Sequence, residues 1–488
     1  MNRRILTLFI ALVVQLSIYH TMAAIGDWKA YMAYYDVQEI EEVGNLVFVQ
    51  ASNGLYVYNK NDQSIQTFSK VDYLNDCDIQ HIAYNKSAKR LVILYNNSNI
   101  DLMDINNYEV TNLPDYANGS ISGDKTVNDI YMYGAYAYLS TGFGIVKLNV
   151  KDAEISDTYN LGFKVDWCEI KGQEIYAYSS TNGKYSSTLS ANLLDKNNWN
   201  RVGNYVGKTV EDKSELKQMV STLNPGGPKY NYFWFMKFAY GQLYTCGGGF
   251  SYIELSRNGS IQVLNNDNWQ IYEDDISNKT GYPYIDINTL DIDPQDPNHV
   301  FAGGRTGLYE FQNGQFIKNY TNDNTDNILQ TASTVGNNNK KYVIVNALKF
   351  DKESNLWGFN SVSPSTSLFT YSKEKKWLSH HKSNFVVESE RSMDNVVGMF
   401  FDSRDLLWFV NNHWTVPSLH CYQPSTDATI SFTKFTNQDG ADIIANYVRT
   451  VTEDKNKNIW IGTTAGPLML ESSQITQVSP IFTQVKVP

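Results

Sequence analysis

Short runs of alternating apolar and polar residues, broken by turns rich in Asn, Asp and Gly, occupy most of the chain. A period of two predicts half-buried β-strands. The clearest unit lies near the C-terminus. Asp454-Lys455-Asn456-Lys457-Asn458-Ile459-Trp460-Ile461-Gly462-Thr463 is followed by the turn Thr464-Ala465-Gly466 and by Pro467-Leu468-Met469-Leu470. This reads as strand, polar turn, strand, with an aromatic residue at the strand centre.

The same design recurs upstream at Asp402-Ser403-Arg404-Asp405-Leu406-Leu407-Trp408 and at Asp351-Lys352-Glu353-Ser354-Asn355-Leu356-Trp357. It recurs again from His299 to Tyr309 around Phe301, and from Leu46 to Tyr56 around Phe48. Weaker copies centre on Val92, Tyr138, Tyr176 and Tyr244. The nine centres lie roughly 51 residues apart on average, near the period of β-propeller blades. A blade is a four-stranded antiparallel sheet whose faces its neighbours must cover. Phe48, Phe301, Trp357, Trp408 and Trp460 are therefore expected to be buried between blades. Trp269-Gln270-Ile271-Tyr272, Phe316 to Tyr320 and Trp377-Leu378 read as outer strands.

The expectation is an all-β chain, with one seven-bladed propeller over 25–382 and the first blades of a second, incomplete propeller over 383–488. Trp28-Lys29-Ala30-Tyr31 looks like an outer strand with no inner strands before it. It is expected to close the first ring within a blade made of distant sequence. The interval from Tyr176 to Tyr244 is long. Within it, Thr209 to Val220 reads as a capped amphipathic helix on the spacing of Leu216, Met219 and Val220. Asn224-Pro225-Gly226-Gly227-Pro228 ends it. Such an excursion serves either packing or function.

Arg3 and Arg4 precede an apolar run from Ile5 to Leu16, and small residues follow at Ala23-Ala24. This is the pattern of a secretory signal, so residues 1–24 are expected to be removed on export. No later stretch is apolar enough to span a membrane as a helix. The formal charge of -11 at pH 7 argues against a nucleic-acid partner, which requires a basic face. Cys77, Cys168, Cys246 and Cys421 are scattered, without C-x-x-C spacing, and read as buried free thiols.

No linear arrangement of catalytic groups emerges. His81, His299, His380, His381, His413 and His420 make no metal-ligand spacing, and His380-His381 is expected on a solvated edge. Asp291, Asp293 and Asp296 form an acidic turn with the charge to take a cation. Pro294, Pro297 and the missing Gly and Glu depart from an EF-hand loop, so a turn between strands is the reading. Gly142-Phe143-Gly144 and Gly247-Gly248-Gly249 open no helix and read as hairpin turns, not phosphate loops. No G-x-S-x-G elbow occurs. Lys340-Lys341 and Lys373, Lys375 and Lys376 read as turn charges, with an anionic glycan site as the lesser alternative. No catalytic, cofactor, metal or binding residue is assigned, and the chain is expected not to be an enzyme.

The repeat D-x-x-x-N-x-W-I-G-T, followed by a Gly turn and an apolar strand, resembles the two-component-regulator propeller repeat of periplasmic hybrid sensors. Ile25-Gly26-Asp27-Trp28-Lys29-Ala30-Tyr31 and Val47 to Tyr56 are similar to the PorZ family of the type IX secretion system. That resemblance implies two propellers and a C-terminal sorting domain. The sequence stops at Pro488, soon after a blade motif, and so reads as truncated. The resemblance also implies residence in the periplasm or on the outer face of the outer membrane of a Bacteroidota-like bacterium. Type IX secretion or sortase proteins and anionic lipopolysaccharide are the implied partners. The expected function is a non-catalytic exported propeller of the type IX secretion and attachment machinery. The alternative is the ligand-sensing periplasmic propeller of a hybrid two-component sensor.

Overall fold

The computed structural model describes residues 28–52, 54–120, 123–249, 255–332, 342–387 and 391–486. The expected signal, 1–24, and Lys340-Lys341 lie outside them. Strand makes up 49% and helix 6%, so the chain is all-β as expected. Nine principal sheets span 37–68, 79–113, 127–160, 167–203, 235–271, 287–320, 344–379, 396–432 and 448–484. The first eight are antiparallel and four-stranded, with strands in chain order. The ninth gains two short strands, Phe435–Asn437 and Asp442–Ile443, through a parallel pairing of Phe435–Asn437 with Ile481–Gln484. Each of the nine repeat centres falls on the second strand of its sheet, from Phe48 in Leu46–Ala51 to Trp460 in Ile459–Thr463.

A carboxylate clamp explains the Asp-to-Trp spacing of the repeat. Asp402 Oδ1 accepts the backbone N–H groups of Arg404 (2.8 Å) and Leu406 (3.0 Å), and Oδ2 accepts the Trp408 indole N–H (2.9 Å). Asp351 holds Trp357 (3.1 Å) and Asp454 holds Trp460 (2.9 Å) in the same way. The residue three places after each Asp is left-handed: Ser354 (φ 68°), Asp405 (φ 61°) and Lys457 (φ 66°). One side chain thus closes the turn and fixes the ring that follows. In the sixth sheet His299 replaces the indole, bonding Asp293 at 3.1 Å.

The chain divides into two compact units, Met1–Gly227 with four sheets and Pro228–Pro488 with five. In each unit, the first strands of successive sheets lie against one another and each sheet's apolar face packs on the next. Phe48, Phe301, Trp357 and Trp408 are buried between sheets as expected. Trp357 meets Phe401 and Tyr422 of the eighth sheet, with ring centroids 5.9 and 5.7 Å apart. Trp460 departs from the expectation and is only half-buried. Ile459 and Ile461 face the eighth sheet, so the alternation of side chains turns Trp460 to the other face. Tyr176, on the last sheet of the first unit, is half-buried too.

Residues 28–35 lie outside the named strands, and Trp28 is 82% exposed. Met32 and Tyr34 instead pack against the first sheet, in one cluster with Ile40, Val47, Val49, Tyr56 and Val220. Gly54 and Gly227 make this approach possible. A Cβ at Gly54 would lie 2.6 Å from Tyr34 Cε1, and one at Gly227 would lie 2.1 Å from the Met32 carbonyl oxygen. The helix is shorter than expected, Ser214–Ser221, because Asp212 rather than Thr209 bonds its first turn, through the Ser214 N–H (3.0 Å). Leu216, Met219 and Val220 lie on the apolar back face of the first sheet.

Trp408→Ala is expected to destabilise by about 3–5 kcal/mol, and Asp402→Ala by about 1–3 kcal/mol through its orphaned N–H donors. Urea denaturation of both variants checks this. The grouping of sheets into rings over 25–382 and 383–488 stands as a proposal about ring closure. Residues on both sides of Ser383 share one core, including Phe359, Phe385 and Phe409. Limited proteolysis that leaves a stable 25–382 core would support the grouping, whereas a first cut at 224–228 would overturn it.

Candidate functional site

The first strand of each sheet has one backbone edge free of its own sheet, and within each unit polar side chains of a preceding sheet meet several of these edges. Glu39 Oε2 accepts the Ile82 N–H (2.8 Å), and Glu41 Oε2 accepts the Tyr84 N–H (3.2 Å). Gln80 donates to the Val127 carbonyl (2.9 Å), and Asn128 to that of Val165 (2.8 Å). In the second unit Asp291 Oδ2 accepts the Phe350 N–H (2.7 Å). Charged groups are therefore concentrated along the first strands, and each unit has a pocket there.

The pocket of the first unit, about 820 Å³, lies between strands Val37–Val43, Ile79–Asn85 and Val127–Tyr133, with the segment 208–214 across it. Lys208 pairs with Asp129 (2.6 Å) and Lys213 with Glu41 (3.0 Å). His81 Nδ1 lies 2.6 Å from Glu39. Burial alone would lower the His81 pKa, but the Glu39 carboxylate outweighs it and the imidazole is held above its ordinary value. Burial raises the Asp129 pKa against the pull of Lys208. Its Oδ2 is buried without a hydrogen-bond partner among the described residues.

The pocket of the second unit, about 270 Å³, is lined by Lys237, Tyr240, Asp291, Pro294, Lys349 and Lys352, among others. Asp291 is 1% exposed. It pairs with Lys237, and Lys349 Nζ lies 3.5 Å from its Oδ2. Burial lowers the Lys237 pKa, and the neighbouring Lys349 charge adds to that, against the pull of Asp291.

The side chains singled out from the sequence do not converge. Asp291 belongs to the lysine pocket, Asp293 bonds His299 and Ser354, and Asp296 bonds Gln312 (2.9 Å). Among the described residues no group of three or more His, Cys, Asp or Glu is placed to hold a metal ion. His380 and His381 are half-buried rather than on a solvated edge, and His381 bonds Ser367 (2.9 Å). His380 stacks on Trp357 (centroids 4.9 Å) and bonds Tyr422 (2.9 Å) and Thr370 (3.1 Å). His420 is buried between the hydroxyls of Ser418 and Ser431, both at 2.8 Å, and burial pushes its pKa down to about 3. All four cysteines are free. Cys168, Cys246 and Cys421 are buried as expected but Cys77 is exposed. Burial pushes the Cys168 and Cys421 thiols up to about 12, far from a reactive thiolate. Lys373, Lys375 and Lys376 are exposed turn residues.

Sequence reasoning missed the first-strand charges Glu39, Glu41, Asp129, Lys237 and Lys349. The available signal was a charged residue inside an otherwise apolar first strand in successive units, as in Phe235–Ala239 and Ile344–Phe350.

Fold and repeat define a β-propeller repeat protein. Residues 47–200 match the family described as the TSS9, PorZ, N-terminal beta-propeller domain, and residues 442–465 match the two component regulator propeller. Among solved structures the chain is similar to PorZ, an essential bacterial surface component of the type IX secretion system of Porphyromonas gingivalis. That match has 20% identity and a TM-score of 0.79, and it covers 94% of this chain and 75% of PorZ. Two extracellular domains of hybrid two-component systems of B. thetaiotaomicron also match, each at 13% identity, with TM-scores of 0.37 and 0.34. They cover 92% and 93% of this chain and 61% and 65% of those chains. No curated protein matches the sequence at a significant level. The resemblance read from the sequence is thus found again, and the fold is that of PorZ. No helix among the described residues is long and apolar enough to cross a membrane.

His299 bridges Asp293 (3.1 Å) and Glu310 (3.0 Å), and Glu310 accepts the Tyr320 hydroxyl (2.6 Å). Burial opposes both charges, but the pairing wins: the His299 pKa is raised above 6.5 and that of Glu310 lowered below 4.5. The bridge therefore stabilises fully between about pH 4.5 and 6.5. It weakens as pH rises through the folded His299 pKa or falls through that of Glu310. Thermal unfolding against pH should show His299→Gln destabilised most inside that window and least at alkaline pH. An equal loss at all pH values would refute the bridge.

Proposed function

We propose that the chain is a non-catalytic, exported propeller protein of the type IX secretion and attachment machinery. In this reading it binds anionic lipopolysaccharide or protein partners at the outer envelope. The match of residues 47–200 to the PorZ N-terminal propeller carries the reading. The fold likeness to PorZ over 94% of the chain supports it. A second reading, the sensing propeller of a hybrid two-component system, is favoured by the regulator-propeller match at 442–465.

A pull-down with anionic and neutral lipopolysaccharide separates the two. Retention of the anionic form alone, weakening as salt screens the charges, is the expected outcome. Failure with both, together with binding of a small neutral oligosaccharide, would favour sensing.

A further inference from the structure

We propose that the pocket on the first strands of the fifth, sixth and seventh sheets binds an oxyanion, a phosphoryl or carboxyl group at the end of a saccharide. The inference deepens the reading above and rests on it only for the saccharide. The argument begins with charge. Three ammonium groups line the pocket, those of Lys237, Lys349 and Lys352, against the carboxylates of Asp291 and Asp351. Asp351 is consumed by its own turn, accepting the Glu353 and Asn355 N–H groups, the Asn355 amide and the Trp357 indole. Asp291 is left to serve both Lys237 and Lys349, and its Oδ2 also takes the Phe350 N–H. Lys352 has Asp405 at 2.8 Å, but both side chains are about two-thirds exposed, at 67% and 68%, where a pair holds weakly.

Over the lining, three ammonium groups face two carboxylates, one of which has its oxygens taken by its own turn, and this leaves a positive surplus in a concave, partly desolvated site. An anion placed between the ammonium groups is drawn by charge-assisted hydrogen bonds that water competes with poorly. Burial first, and then the neighbouring Lys349 charge, lower the Lys237 pKa against the pull of Asp291, and an anion beside it would raise it. Size sets the next limit. At about 270 Å³ the pocket is smaller than the roughly 300–1,000 Å³ of sites that enclose a whole drug-sized ligand. It therefore takes a terminal group. Tyr240 on the wall offers a ring beside the anion for an attached sugar. The first unit's pocket has the opposite sign: Lys208 and Lys213 each have their own carboxylate, and Asp129 keeps an unused acceptor. An oxyanion therefore selects the second unit.

The test is isothermal titration of the whole chain with inorganic phosphate, glucose 1-phosphate, glucuronate and neutral glucose. The three anions are expected to bind, with glucose 1-phosphate ahead of inorganic phosphate, and glucose is expected not to. Lys349→Met leaves the Lys237–Asp291 pair in place and should weaken anion binding about tenfold or more. Lys352→Met, a rim change with little effect on folding, should weaken it less. Absence of anion binding, or unchanged affinity in Lys349→Met with an unchanged melting temperature, overturns the site. Equal affinity for phosphate and glucose 1-phosphate overturns the saccharide. Undiminished lipopolysaccharide capture by Lys349→Met would refute the pocket and spare the secretion reading. Sugar-phosphate binding without lipopolysaccharide capture would do the reverse.

Discussion

A sheet that stacks face to face with its neighbours still has one raw backbone edge, the far side of its first strand. Peptide N–H and C=O groups left unpaired there would each cost free energy comparable to a lost hydrogen bond. In this protein the side chains of neighbouring first strands meet many of them. Glu39 and Glu41 take Ile82 and Tyr84, Asp291 takes Phe350, and from the second strand of the first sheet Gln50 donates to the Ile79 carbonyl at 2.6 Å. A purely apolar first strand could not do this. The need to satisfy backbone groups draws carboxylates and amides to the inner strands of a fold whose remaining surfaces are packed apolar faces.

The polar pockets follow from that constraint. In the first unit the inner carboxylates meet lysines from the 208–213 segment, and the lining holds more carboxylates than ammonium groups. In the second the lysines come from the inner strands themselves and outnumber the available carboxylates. Two pockets in the same topological place thus carry opposite electrostatic character. Structure and recognition also share residues. Asp291 caps a peptide N–H and sets the charge of its pocket, so replacing it changes both.

The repeat was legible because its determinants are local. Asp402 and Trp408 are six residues apart and joined by one hydrogen bond, and each centre sits on a strand of alternating polarity. The pockets were not legible because their contacts are distant in sequence. Glu39 and Ile82 are 43 residues apart, and Asp291 and Phe350 are 59. No spacing rule links such pairs. The helix start differs for a local reason: Thr209 and Asp212 are both residue types that cap helices, and it is Asp212 that accepts the Ser214 N–H. The half-buried Trp460 follows from the alternation that gives Ile459 and Ile461 to the eighth sheet, a property of the stack rather than of the repeat.

The helix Ser214–Ser221 covers the first sheet from a point in the chain three sheets later. Ile40, Val47, Val49 and Tyr56 precede Leu216, Met219 and Val220 by roughly 160 residues or more, so covering this face requires closing a long loop, which is intrinsically slow. The second, third and fourth sheets need only contacts between neighbours in the chain, each sealing the one before. The first unit therefore has a directional assembly, in which the earliest surface to form is the last to be closed.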